Sequence, residues 1–125
     1  MKHIIIIFAV LLLASQLSFE QVKIRKNEES TIKVTFIELG SVRCIPCKKM
    51  EAVLDSIRKK YPIDVKVIFY DVWTEEGKPF GKQYNVKSIP TQVFLDKNGK
   101  EYYRHVGYFP ENELIKILKK KGVEK

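Results

Sequence analysis

Two cysteines, Cys44 and Cys47, lie between a strand pattern and a helix pattern, and the chain contains no other cysteine. Residues 33–39 (KVTFIEL), which precede the pair, are rich in β-branched and aromatic side chains, as is typical of a buried strand. From Cys44 to Tyr61 apolar residues recur at helical spacing, and Pro62 ends that pattern. Two thiols on the first turn of a helix are a signal of redox chemistry, and they require a fold that presents this helix N-terminus to a partner.

Strand and helix patterns alternate through the rest of the chain. The sequence predicts further strands at residues 64–71, 91–95 and 100–106, a short helix over 79–84, and a last helix that starts at 110–111 and ends near Gly122. The run DKNG at residues 96–99 is typical of a hairpin turn. Strands separated by helices pair in parallel through right-handed crossovers, whereas a hairpin adds an antiparallel pair. We therefore expect an α/β fold, with a mixed four-stranded sheet flanked by helices.

The first residues have a different composition. Lys2 is followed by an unbroken apolar run over residues 4–13 and by small and polar residues over 14–18. This is the layout of a secretory signal peptide, and the apolar run is too short to span a bilayer comfortably. We expect residues 1–18 to be a signal peptide, with an uncleaved membrane tether through residues 4–17 as the alternative. Such a leader predicts a periplasmic or other extracytoplasmic location, where disulfides persist.

Domain boundaries follow from these patterns. Residues 19–32 are predicted to form a linker, with an edge strand at residues 22–25 as an option, and residues 33–121 to form one folded domain.

The formal net charge is +8, but the lysines are scattered and no basic run is interleaved with aromatic residues. This pattern favours a solvated basic surface over nucleic-acid binding. A nucleotide cofactor is not expected, because the chain has no glycine-rich phosphate loop.

The predicted position of the cysteine pair determines the role of each thiol. The first turn of a helix carries unpaired N–H groups and the positive end of the helix dipole, which stabilise a thiolate. Cys44, at this start, is the expected nucleophile, and Cys47, one turn later on the same face, is the expected resolving thiol. Pro46 is tolerated there because the N–H that it lacks has no helical partner.

Three other interpretations of the pair compete with redox chemistry. A zinc site needs four ligands, and only His3 and His105 are available to join the two cysteines, so we expect no metal. A structural disulfide between residues so close in sequence closes a short loop and stabilises little. A metal carrier remains an alternative. His105, without an evident partner, is expected to be a surface or hydrogen-bonded core histidine.

Three ordered stretches of the chain resemble the thioredoxin family. They are the run around Cys44-Ile45-Pro46-Cys47-Lys48, the run Val86-Lys87-Ser88-Ile89-Pro90-Thr91, and the run from Phe94 through Gly99 to Gly107. The resemblance covers about residues 33–121 and implies a thioredoxin-like fold. The stretch before residue 33 is too short for the family's additional N-terminal strand and helix, so an N-terminally minimal version is expected.

The resemblance also implies roles for particular residues. It implies that Ile89-Pro90 is a cis peptide facing the cysteines, and that Pro46, Ile89 and Pro90 contact the substrate. Glu38 stands where the family usually has a buried aspartate that accepts the proton of the resolving cysteine, and a solvent-facing carboxylate is the alternative. The chain departs from the family pattern at Arg43, which replaces an aromatic residue.

We therefore expect a thiol:disulfide oxidoreductase, more a reductase than an oxidase, that uses a reversible Cys44–Cys47 disulfide and no other cofactor. The expected partners are protein disulfides and a membrane electron donor or other thiol-redox protein, and the chain is expected to be a monomer. The alternatives are a thiol oxidase or isomerase, a non-catalytic peptide-binding module of the same fold, and the metal carrier.

Overall fold

The computed structural model describes Met1 and residues 31–125. The chain divides into two units, Met1–Thr31 and Ile32–Lys125, and the second contains the sheet. The expected leader (residues 1–18), most of the expected linker and the optional strand at residues 22–25 therefore lie outside the described residues. Within the described part of the chain, no helix has the length and hydropathy needed to cross a bilayer.

In the described part of the chain, four strands form one mixed sheet. They are β1 (Val34–Gly40), β2 (Val65–Asp71), β3 (Thr91–Asp96) and β4 (Glu101–Val106), in the spatial order β2-β1-β3-β4. β1 is parallel to β2 and antiparallel to β3, and β3 and β4 form the antiparallel hairpin. The predicted fold class is confirmed, and each predicted strand end lies within one residue of the observed one.

Within residues 34–125, three helices connect and cover the strands: α1 (Ile45–Lys60), α2 (Lys78–Gln83) and α3 (Glu111–Lys119). Cys44 and Tyr61, the predicted ends of α1, are its N-cap and C-cap residues. The prediction for α3 was wrong at its C-terminal end, because the helix stops at Lys119 rather than near Gly122. Gly122 adopts a positive φ of 74° and the following Val123 is buried in the core, so the chain turns inward before another helical turn can form.

The two faces of the sheet carry separate apolar clusters. α1 and α3 pack on one face, where the rings of Phe36 and Phe94 stack with centroids 4.9 Å apart. On the other face, Ile37, Leu39 and Val93 pack with residues of and around α2. Side chains alternate along a strand, so Glu38 and Gly40 lie on the same face as Phe36, under α1.

The strand register determines where the functional residues meet. In β1, Gly40 lies beside Asp71 at the end of β2, and Leu39 lies opposite Thr91 at the start of β3. The loops that follow β1 and β2 and the segment that precedes β3 therefore leave the sheet at one common edge. This edge carries the Cys44–Cys47 pair, Trp73 and the Ile89-Pro90 peptide.

Candidate functional site

Cys44 and Cys47 form a disulfide at the N-terminus of α1, with Cα atoms 5.2 Å apart. Cys44 is the N-cap residue of the helix, with an extended backbone, and its sulfur accepts a hydrogen bond from the Cys47 N–H at 3.3 Å. Pro46 lies in the first turn, as the sequence predicted. The Cys44 sulfur thus occupies the position where a capping oxygen lies in other helices, and it faces the unpaired backbone donors.

Charge around this N-terminus favours a negative sulfur. The first turn of α1 contains no acidic residue, and the exposed Lys48 and Lys49 follow Cys47 directly. Together with the helix dipole, these groups stabilise a thiolate relative to a thiol. Both cysteines are largely covered, with 7% of Cys44 and 4% of Cys47 exposed, whereas Ile45 between them is 75% exposed.

The Asp71 carboxylate joins the two loops at the site edge. Oδ2 accepts hydrogen bonds from the Ser41 hydroxyl at 3.3 Å and the Val42 N–H at 3.2 Å, and Oδ1 accepts from the Trp73 N–H at 3.0 Å. Burial disfavours the charged form, but these bonds, with Arg43 nearby, outweigh it and hold the pKa of Asp71 below its usual range. The sequence did not predict a role for Asp71. Its only signal was its place as an acidic residue at the end of a strand.

Replacing Asp71 with alanine is expected to destabilise the fold by about 1–3 kcal/mol, because hydrogen bonds to a charged group are lost and the buried Ser41 hydroxyl is left without this acceptor. Since the pKa of Asp71 is lowered in the folded state, its contribution is present at neutral pH and is lost as the pH falls through that pKa. Urea unfolding at pH 7 measures the loss. Asp55→Ala, at an exposed acid of α1, is the control, and equal losses in the two variants would contradict the role of Asp71.

Arg43 and Trp73 form a pair beside the disulfide. The guanidinium carbon of Arg43 lies 5.7 Å from the centroid of the Trp73 ring, and half of Trp73 is exposed. Trp73 is therefore a rim residue of the site rather than a core residue. Arg43 replaces the aromatic residue that the family usually has before the first cysteine. Trp73, from the loop after β2, nevertheless provides an aromatic surface beside the cysteines.

Glu38 is fully buried on the α1 face of the sheet, so the buried alternative is confirmed. Gly40 is the next residue on this face, and a Cβ atom added to it would lie 3.1 Å from the Cys47 sulfur. Glu38 precedes Gly40 by two residues, so its side chain lies on the same face of the sheet, one pleat (two residues) away from this contact. Neither carboxyl oxygen has a hydrogen-bond partner in the described structure. Burial raises the pKa of Glu38 to about 8. The nearby Gln92 amide, which forms no hydrogen bond with the carboxyl in this geometry, lowers it by a smaller amount.

The Ile89-Pro90 peptide is cis, as the resemblance implied. Pro90 is buried, and its carbonyl accepts a hydrogen bond from the Gly107 N–H at 2.8 Å. By contrast, neither the N–H nor the carbonyl of Ile89 forms a hydrogen bond within residues 31–125. A groove runs from this residue along the preceding segment, with Trp73, Lys82, Val86 and Lys87 in its lining. Ile89 thus has a free backbone donor and acceptor next to a groove.

His105 is hydrogen-bonded rather than free. Its Nδ1 lies 2.8 Å from Oε1 of Gln92, and its ring stacks on Phe109 with centroids 4.1 Å apart. No group of three or more histidine, cysteine, aspartate or glutamate residues in the described range is arranged to hold a metal ion.

Comparison with known proteins places the chain among thioredoxins. A family profile described as a thioredoxin-like domain matches residues 19–122. The chain is 34% identical over 92 residues to thioredoxin 1 of Synechococcus elongatus, covering 74% of this chain and 82% of that protein. It is 38% identical over 87 residues to the thioredoxin of Chlamydia trachomatis, covering 70% of this chain and 81% of that protein.

Longer relatives and solved structures extend the comparison. The chain spans about half the length of two other relatives, 46% of a putative thioredoxin H10 from Arabidopsis thaliana and 49% of the chloroplastic M-type thioredoxin of Spinacia oleracea. The crystal structure of the germline-specific thioredoxin Deadhead from Drosophila melanogaster superposes with a TM-score of 0.63 at 27% identity, covering 82% of this chain and 92% of that one. The fold, the site and the family profile agree, and this chain belongs to the thioredoxin family.

Proposed function

We propose that the protein is a thiol:disulfide oxidoreductase that acts on protein disulfides through reversible oxidation of Cys44 and Cys47. The observation that carries the proposal is the disulfide at the N-terminus of α1, where the Cys44 sulfur accepts the Cys47 N–H. This position both stabilises a Cys44 thiolate and keeps the second thiol within reach of it. The relatives named above are thioredoxins, which supports the same reaction class.

In the reducing direction, the Cys44 thiolate attacks a substrate disulfide, forms a mixed disulfide and releases the first substrate sulfur as a thiolate. The Cys47 thiol then loses its proton to the Glu38 carboxylate and attacks the Cys44 sulfur. The Cys44–Cys47 disulfide forms, and the second substrate sulfur leaves as a thiolate. Two electrons pass from the dithiol to the substrate. Glu38 suits this role because it is buried one pleat below the Cys47 sulfur.

The substrate is held as an extended segment across the site edge. The free backbone groups of Ile89 pair with it as one strand pairs with the next, and the exposed Pro46 and the buried Pro90 border its half-cystine. The groove beside Ile89 accommodates the residues that follow. This mode needs main-chain contacts and therefore accepts many sequences, which suits an enzyme with several protein substrates.

Reduction is the favoured direction, with electrons supplied by a membrane protein or another thiol-redox partner and with no cofactor beyond the disulfide. A proline between the cysteines and the similarity to thioredoxins support this direction. Equilibration of the Cys44/Cys47 couple with a glutathione buffer measures the reduction potential. We expect a value near −270 mV, whereas a value near −120 mV would contradict the reductase assignment and indicate a strong oxidant.

We further propose that the domain works outside the cytoplasm, because the apolar run over residues 4–13 is typical of an export signal. Alkaline phosphatase fused after residue 18 is expected to be active in a bacterial host, since that enzyme needs periplasmic disulfides. A control fusion to residues 19–125 is expected to be inactive. An inactive leader fusion that is expressed at the same level would contradict export.

A further inference from the structure

The carboxyl group of Glu38 has two cross-strand neighbours of unlike chemistry. Phe69 of β2 lies on one side, and Gln92 of β3 lies on the other. Gln92 is as fully buried as Glu38. An apolar ring offers no conventional hydrogen-bond donor, whereas a primary amide offers two N–H groups. Of the two neighbours, Gln92 is therefore the one that is able to solvate a charged Glu38.

Two partners determine how the Gln92 amide is oriented. Its Nε2 donates to the carbonyl oxygen of Gly107 at 3.1 Å, and its Oε1 lies 2.8 Å from Nδ1 of His105. The Gly107 carbonyl can only accept, so the amide nitrogen must face it. Oε1 must then accept from His105, whose Nδ1 carries the hydrogen. One N–H of the amide remains without an acceptor among the described residues.

His105 is itself held in place. It lies opposite Gln92 in the β3–β4 register, and its ring stacks on Phe109 at an interplanar angle of 12°. The N–H of Phe109 donates to the sulfur of Met50 in α1 at 3.3 Å. A row of polar side chains thus crosses three strands, from Glu38 through Gln92 to His105, and its outer end is fixed to the helix that carries the cysteines.

We propose that Gln92 is a positioning residue for the resolving step: held beside Glu38 by His105 and Gly107, it forms no hydrogen bond to the Glu38 carboxyl in the present structure, but offers its remaining N–H to the carboxylate form of Glu38, which accepts the Cys47 proton. The proposal rests on the proposed function. The amide transfers no proton itself. It lowers the free energy of the charged Glu38 relative to the neutral form in a site that otherwise excludes water.

Other ionisable groups on this face of the sheet act differently. Cys44 and Cys47 lie above Glu38, Asp71 belongs to the neighbouring strand β2, and Tyr103 and His105 belong to β4. Asp71 is engaged by the loops around Val42 and Trp73. Burial raises the pKa of Glu38, and the neighbouring Gln92 side chain acts in the opposite direction.

Gln92→Leu tests the proposal in two measurements. A ¹³C NMR titration of the Glu38 carboxyl carbon in the oxidised protein is expected to show a higher midpoint than in the wild type. In the reduced protein, the disulfide of dithiobis(nitrobenzoate) releases one thionitrobenzoate when Cys44 attacks and a second when Cys47 resolves. The second phase is expected to slow about tenfold near pH 7, which corresponds to a midpoint about one pH unit higher.

Two variants control for structural effects. His105→Phe leaves Gln92 in place but removes the donor that orients it, and a smaller shift in the same direction is expected. Tyr103→Phe, on the same strand and face, is expected to leave both measurements unchanged. In a Glu38→Gln background, Gln92→Leu is expected to have no effect on the second phase.

An unchanged Glu38 midpoint in folded Gln92→Leu, or a slower second phase that persists in the Glu38→Gln background, would overturn the proposal. These outcomes differ from failure of the proposed function. If the wild-type protein released no second equivalent, the oxidoreductase assignment would fail, while the NMR titration would still report whether Gln92 acts on Glu38.

Discussion

Replacing Cys47 with serine is expected to convert the protein into a trap for its substrates, held as mixed disulfides on Cys44. The Cys44 thiolate still attacks, because its N-cap position and the positive first turn of α1 do not depend on the Cys47 sulfur. Resolution requires a second thiol held within reach, and an external thiol at ordinary concentration replaces such an intramolecular attack poorly. The release step is expected to slow about a thousandfold or more.

Non-reducing electrophoresis followed by mass spectrometry of the adducts measures this outcome. Cys44→Ser is the matched control. It is expected to form few or no adducts, because Cys47 is less exposed than Cys44 and attacks only the mixed disulfide already formed on Cys44. A non-catalytic peptide-binding module would give no covalent adduct with either variant. Adducts that form on Cys47 in the Cys44→Ser variant, as readily as on Cys44 in Cys47→Ser, would contradict the assigned order of attack.

The fold is expected to lose stability as the pH rises through the titration range of Glu38. Burial raises the pKa of this group from 4.5 to about 8. Between these values the unfolded chain releases the proton while the folded protein keeps it, so the free energy of unfolding falls with pH. The slope is about 1.4 kcal/mol per pH unit, and the accumulated loss reaches roughly 5 kcal/mol above the folded pKa. Below 4.5 the group is neutral in both states, and the penalty is absent.

Glu38→Gln is expected to remove this slope and to be more stable than the wild type by several kcal/mol above pH 8. It is expected to resolve mixed disulfides more slowly, because the base for the Cys47 proton is lost. Urea unfolding of the oxidised proteins between pH 5 and 9 gives the difference curve. Glu51→Gln, at an exposed acid of α1, is expected to follow the wild-type curve. A wild-type curve parallel to that of Glu38→Gln would show that Glu38 titrates normally.

Strands and helices with a clear repeat of apolar residues were predictable, because the length of the repeat alone distinguishes a strand from a helix. The alternating β-branched and aromatic residues of β1 and the helical spacing of α1 identified both elements to within one residue. The end of α3 was not predictable in this way. Whether the chain continues as a helix past Lys119 depends on Val123, which packs into a core that no local pattern reveals.

The cysteine pair and the cis peptide before β3 were evident from short motifs, since their chemistry depends on residue type and spacing. The burial of Glu38 was not predictable from the sequence, because strand alternation indicates that alternate residues share a face but not which face is covered. Gln92 was missed altogether. A glutamine within an apolar strand gave no signal of its partners, which come from another strand and a later loop.

The amino-acid sequence by itself determined the redox pair, the order of strands and helices and the family, because each of these follows from residue type, spacing or period. Only the tertiary structure decided the environment of the pair. Packing brings Glu38, Gln92 and Asp71 to the site from three different strands. Removal of water there raises the pKa of the buried Glu38 carboxyl. Burial is a property of the assembled sheet and helices, so no single segment specifies it.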